Sequence, residues 1–104
     1  MEDIVLTAKS TVCLNNNIAI RFEHNYCNGT IILINTETDD IWLGNKQSLI
    51  FINEIKNFNN PKTLEEVYSK IICSFPEYHP EEVIDSLNTI INDLYEKKFI
   101  TVKQ

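Results

Sequence analysis

A chain of 104 residues with 43% hydrophobic and 23% charged side chains has the composition of one globular domain, long enough to bury a core without metal or disulfide staples. Its net charge of −6, with nine Lys and Arg scattered along the chain, argues against a nucleic-acid partner, which needs a basic stripe. No apolar run approaches the roughly 18–20 residues that span a bilayer, and "MEDIVLTAKS" opens on acids rather than on the basic region of a signal peptide, so a cytoplasmic protein is expected.

In chain order, "TVCL" is compatible with a short strand, and "NNN" at 15–17 is a turn, because Asn tolerates the left-handed region and bonds its own backbone. "IAIRFEH" alternates, with Ile18, Ile20 and Phe22 on one face and Ala19, Arg21 and Glu23 on the other, the pattern of a half-buried strand. "HNYCNG" at 24–29 is a second turn with Asn28-Gly29 as its hairpin signal. "TIILI" at 30–34 is rich in β-branched residues and continuous in its apolar run, so it is a strand with both faces at least partly covered. "NTETDD" is a loop, and "DIWL" at 40–43 is the third strand of an antiparallel meander.

After Gly44 the period changes. Leu49, Ile52, Ile55 and Phe58 recur at three- and four-residue steps, which predicts an amphipathic helix over about 46–58, stopped by "NFNNP". Thr63 and Glu66 form a capping box for a second helix carrying Leu64, Val67, Tyr68, Ile71 and Ile72 and closed by Pro76. "HPEEV" opens the last helix, with Pro80 at the first position and Glu81 and Glu82 at the positive end of its dipole. Its stripe of Val83, Ile84, Leu87, Ile90, Ile91, Leu94 and Tyr95 is wide enough to touch two neighbours. "FITV" leaves as an extended tail. The expected class is α+β: a three-stranded antiparallel meander followed by three helices, winged helix-turn-helix-like.

Chemistry-bearing clusters are sparse. The candidate metal site is Cys13, His24 and Cys27, with or without His79, but no C-x-x-C or H-x-x-x-H pair is present, and three cysteines without a secretion signal are expected as reduced thiols. Two glycines in all leave no phosphate loop, and no cofactor is expected. The adjacent carboxylates Asp39-Asp40, Glu65-Glu66 and Glu81-Glu82 belong to a turn and two helix starts rather than to acid–base catalysis. A non-catalytic chain is expected.

The element order, with "LINTETDDIWLGN", "PKTLEEVYSKI" and "HPEEVIDSLNTIINDLYEKKFI", resembles the PqqD-like domains, the recognition elements for ribosomally made, post-translationally modified peptides, over roughly residues 18–101. Leu43-Gly44-Asn45 stands where that family has Leu-Asn, and Lys98-Phe99 where it has Gly-Leu. The resemblance implies a bacterial docking module without catalysis of its own. The leader segment of a precursor peptide adds a strand to the edge of the third strand, its side chains enter a cleft between that strand and the third helix, and a modifying enzyme or leader protease acts on the captured precursor.

The residues expected to bind peptide are Asp40, Ile41, Trp42 and Leu43 on the strand and Val83, Leu87, Ile90 and Leu94 on the helix. Ile41 and Leu43 are expected to wall the cleft. Trp42 is expected on the opposite, outer face, with Asp39 and Asp40 limiting indiscriminate pairing of the edge. The plainer alternative is that Trp42 caps the sheet. Two other classes suit a hairpin beside three helices. One is a winged-helix regulator, disfavoured because Glu81, Glu82, Asp85, Asp93 and Glu96 outweigh Lys97 and Lys98 on the last helix. The other is an adaptor without a peptide ligand.

Overall fold

A computed structural model of the chain describes residues 7, 9–23, 30–56 and 61–103. The elements run β1 (Thr11–Leu14), β2 (Ile18–Glu23), β3 (Thr30–Asn35), β4 (Ile41–Gly44), α1 (Lys46–Ile55), β5 (Lys62–Thr63), α2 (Leu64–Ser74), α3 (Pro80–Glu96) and β6 (Ile100–Lys103). The expected turn at 24–29, with His24 and Cys27, lies outside the described residues, as does Phe58 of the first helix's expected stripe; that helix ends at Ile55, with Lys56 as its C-cap, rather than at about 58. The class is α+β.

The arrangement differs from one meander followed by helices. Two separate antiparallel sheets form, one in the order β2-β3-β4 and one in the order β5-β1-β6. "TVCL" is the central strand of the second sheet. The expected C-terminal tail is its edge, paired with β1 from Thr11↔Lys103 to Leu14↔Ile100. Local pattern cannot reveal that pairing, because the partners lie at opposite ends of the chain. Asn15 locks it: its amide donates to the Lys98 carbonyl at 2.8 Å, its backbone N–H donates to the Phe99 carbonyl at 3.1 Å, and its side-chain oxygen accepts from the Thr101 hydroxyl.

Helix ends follow capping chemistry. Asn45 is the N-cap of α1, its side chain accepting from Ser48 N–H at 3.1 Å. At α2 the Thr63 hydroxyl accepts from Glu66 N–H, and the Glu66 carboxylate accepts from Thr63 N–H, so both halves of the capping box are made. Pro80 occupies the first turn of α3. That helix closes in a Schellman motif: Phe99 N–H donates to Leu94 O at 2.9 Å, Lys98 N–H donates to Tyr95 O at 3.1 Å, and Lys98 itself sits at φ 65°. A lysine thus adopts the left-handed conformation usually given to glycine. Phe99 and Leu94, which flank the motif, are both fully buried.

One core joins the two sheets. Val12 and Leu14 of β1, Ile31 and Leu33 of β3, Phe51, Ile52 and Ile55 of α1, Leu64, Val67 and Ile71 of α2, and Val83, Leu87, Ile91 and Leu94 of α3 are all buried in it. α1 is central, touching β1, β3, β4, α2 and α3. Among the described residues, no helix is long and apolar enough to cross a membrane.

Candidate functional site

Asn35 positions β4. Its side-chain oxygen accepts from Glu37 N–H at 3.0 Å, Thr38 N–H at 3.2 Å and the Asn17 amide at 2.8 Å, folding 36–40 into a turn that carries Asp39 at φ 64°. The Asn35 N–H then donates to the Asp40 carbonyl at 2.9 Å, opening the ladder to a strand registered as Ile34↔Ile41, Leu33↔Trp42, Ile32↔Leu43 and Ile31↔Gly44.

That first bond sets the parity of the edge. In an antiparallel pair, hydrogen-bonded and non-bonded residue pairs alternate. Asn35 with Asp40 is bonded, so Leu33 with Trp42 and Ile31 with Gly44 are bonded too. The backbone N–H and C=O groups of Ile41 and Leu43 therefore face away from β3. β4 ends the sheet order, so among the described residues these groups lie along its free edge.

Side chains on β4 divide opposite to expectation. Trp42 is only 8% exposed and points inward beside Leu33, whereas Ile41 and Leu43 are 64% and 62% exposed on the outer face. A four-residue strand offers two positions per face, and counting two aliphatics against one tryptophan misjudges which face gains more from burial. Gly44 shares the inner face with Trp42, and the indole lies across it. A Cβ at residue 44 would meet the six-membered ring and come within 2.6 Å of Ser48 Cβ.

The buried indole needs an acceptor, and α3 supplies one. Trp42 Nε1–H donates to Asp93 Oδ2 at 2.7 Å. Partial burial pushes the Asp93 carboxyl up, but the indole N–H and the nearby Lys97 ammonium pull it down further, leaving it below the ordinary carboxylate range. Farther along, the Gln47 amide donates to the Val83 carbonyl at 3.3 Å, and the Ser86 hydroxyl donates to Gln47 Oε1 at 2.8 Å. Residues 42–47 thus run alongside α3 in the opposite sense. Ser86, Ile90 and Asp93, spaced at i, i+4 and i+7, form the helix flank that faces them.

Beyond Gly44 this seam opens into a cleft of about 370 Å³, bordered by Asn45, Lys46, Gln47, Val83, Phe75 and Tyr78. On the sheet's outer face, two cross-strand rows run to the free edge: Ala19–Ile34–Ile41 and Arg21–Ile32–Leu43. Arg21 is paired with Glu23, and Ile32 and Ile34 are half-buried.

Of the residues expected to bind peptide, Asp40, Ile41 and Leu43 are exposed along the edge, and Val83 borders the cleft. Ile90 is half-buried on the facing flank. Leu87 and Leu94 are fully buried core residues that line no open cleft. Sequence reasoning missed Asp93, Gln47, Ser86, Phe75 and Tyr78. Asp93 and Ser86 had a usable signal, each lying one turn from Ile90 on the same helical flank.

Among the described residues, no group of three or more His, Cys, Asp or Glu could hold a metal ion. Cys13 is half-buried on β1, and His79 is exposed at the N-cap of α3. Comparison of the chain with protein-family models, curated proteins and solved structures gives no match.

Proposed function

We propose that this chain is a non-catalytic peptide-binding domain that captures the leader segment of a ribosomally made precursor by adding it as a strand to β4, and presents it to a modifying enzyme or leader protease in the bacterial cytoplasm. The observation that carries the reading is the outward parity of Ile41 and Leu43. Two residues on a short edge strand direct four backbone groups into the one position where an added strand would bond them. The cleft beyond Gly44 supports it, because a peptide side chain facing inward at that end would meet Val83, Phe75 and Tyr78. Main-chain bonds would supply affinity and the cleft selectivity.

Backbone amide NMR titration with the leader of a precursor encoded beside this gene tests the proposal. Shifts are expected at residues 39–44 and on the Val83–Ser86–Ile90–Asp93 side of α3, with a change in Trp42 emission. Shifts confined to other surfaces, or none with any neighbouring precursor, would rule out this docking mode.

A further inference from the structure

We infer that the added strand is read on the outer face of the sheet as well as in the cleft, and that it takes an extended peptide with aliphatic side chains at two alternate positions followed, two residues on, by Lys or Arg. This inference rests on strand addition at β4 and specifies its ligand.

The pattern follows from parity. A strand antiparallel to β4 places one residue directly opposite Leu43 and, two positions later, another opposite Ile41. Both make the bonded pairs, since the backbone groups of Leu43 and Ile41 face outward. Residues directly opposite each other in a sheet point their side chains to the same face. These two peptide side chains therefore extend the rows Arg21–Ile32–Leu43 and Ala19–Ile34–Ile41. Each row now ends on an aliphatic side chain more than three-fifths exposed, and an aliphatic neighbour removes that surface from water. The residue between them faces inward, toward Trp42 and the α3 flank. Two positions past the one opposite Ile41, the peptide passes Asp39 and Asp40.

Charge sets the next position. Asp39 and Asp40 are exposed, and the ion pairs among the described residues, Arg21–Glu23 and Lys97–Asp93, involve neither. A peptide carboxylate there would add to the repulsion of a chain already at −6, whereas a long basic side chain brings a counter-charge to these adjacent carboxylates, of which Asp40 now accepts from the Thr38 hydroxyl at 2.9 Å. The order matters: a strand running parallel to β4 would meet the basic residue before the aliphatic pair.

Three acetylated, amidated heptapeptides test the pattern by amide NMR titration: Gly-Val-Thr-Val-Thr-Lys-Gly, the same peptide with Glu for Lys, and the same peptide with Asn for both Val. The first is expected to shift the Ile41 and Leu43 amides. The Glu and Asn peptides are each expected to bind about tenfold more weakly. Asp39→Lys with Asp40→Lys should reverse the Lys-over-Glu preference. Ile41→Ser with Leu43→Ser, both at exposed positions and checked for fold by circular dichroism, should remove the Val-over-Asn preference. Equal affinity of the three peptides at the edge would overturn the pattern while leaving strand addition standing. No edge shift with any of them would overturn the pattern also, and the leader titration would then decide strand addition by itself.

Discussion

The indole N–H of Trp42 donates to Asp93 Oδ2 at 2.7 Å across 51 residues of sequence. This single bond ties the edge strand of one sheet to the C-terminal half of α3. It also explains why the one tryptophan sits on so short a strand. The ring covers Gly44 and the seam beneath it, while the N–H anchors the strand to the helix. The backbone edge stays open because the indole works from the inner face.

Asp93 makes this anchor pH-dependent. Its folded pKa is depressed, so the stabilisation from the ionised carboxylate is complete above the unfolded value of about 3.9 and is lost as pH falls through the lower folded value. The Trp42 indole proton resonance should therefore move with a midpoint below about 3.9, and Asp93→Asn should abolish that transition. A midpoint at or above an ordinary carboxylate value would show that the pair is not formed in solution.

Lys98 carries a second testable cost. A non-glycine residue at φ 65° pays roughly 1–2 kcal/mol for the left-handed region, partly offset in Lys→Gly by the greater freedom of glycine in the unfolded chain. Lys98→Gly should raise unfolding stability by about 0.5–1 kcal/mol in chemical denaturation, since its backbone bond to Tyr95 is unaffected. A loss of stability would mean that the lysine side chain contributes more than the strain costs.

What could be read from sequence divides along this line between local and distant interactions. β2 and the three helices were legible because each repeats its own period, β3 because its apolar run is continuous and rich in β-branched residues, and Thr63 with Glu66 states its capping chemistry within four residues. The Schellman turn was not, because its usual signal is glycine and Lys98 stands there. The β1–β6 pairing was not, because nothing within either strand names a partner at the other end of the chain. For the candidate site, the edge strand was legible but its facing was not. That facing depends on which residue Leu33 opposes and on an aspartate 51 positions away.

Gly44 tests the facing of Trp42. A methyl group at residue 44 would collide with the indole and approach Ser48 Cβ within 2.6 Å, and both neighbours are packed. Gly44→Ala should destabilise by about 1–3 kcal/mol, the range for overpacking. Because Trp42 is the only tryptophan, its emission should shift to the red as the ring is displaced. Unchanged stability and emission would place the indole elsewhere, and with it the inward face of β4.

Ile41→Pro separates the edge from the ladder. Proline removes one backbone donor and is tolerated in a strand where that donor faces away from the neighbouring strand. The parity set by the Asn35–Asp40 bond puts the Ile41 N–H on the free side, so the β3–β4 bonds survive the change. Leu33→Pro, by contrast, would remove a ladder donor in the central strand of a three-stranded sheet and should unfold it. Circular dichroism of Ile41→Pro should therefore stay near that of the parent, with stability within about 1 kcal/mol, because the lost Ile41 side chain is 64% exposed. Peptide affinity should fall by at least tenfold, since the variant lacks a bonded donor and carries a ring along the path of the incoming strand. A folded Ile41→Pro variant that still binds the leader with parental affinity would show that the peptide does not pair with β4. Binding would then have to be sought in the cleft beside Val83 and Tyr78 alone.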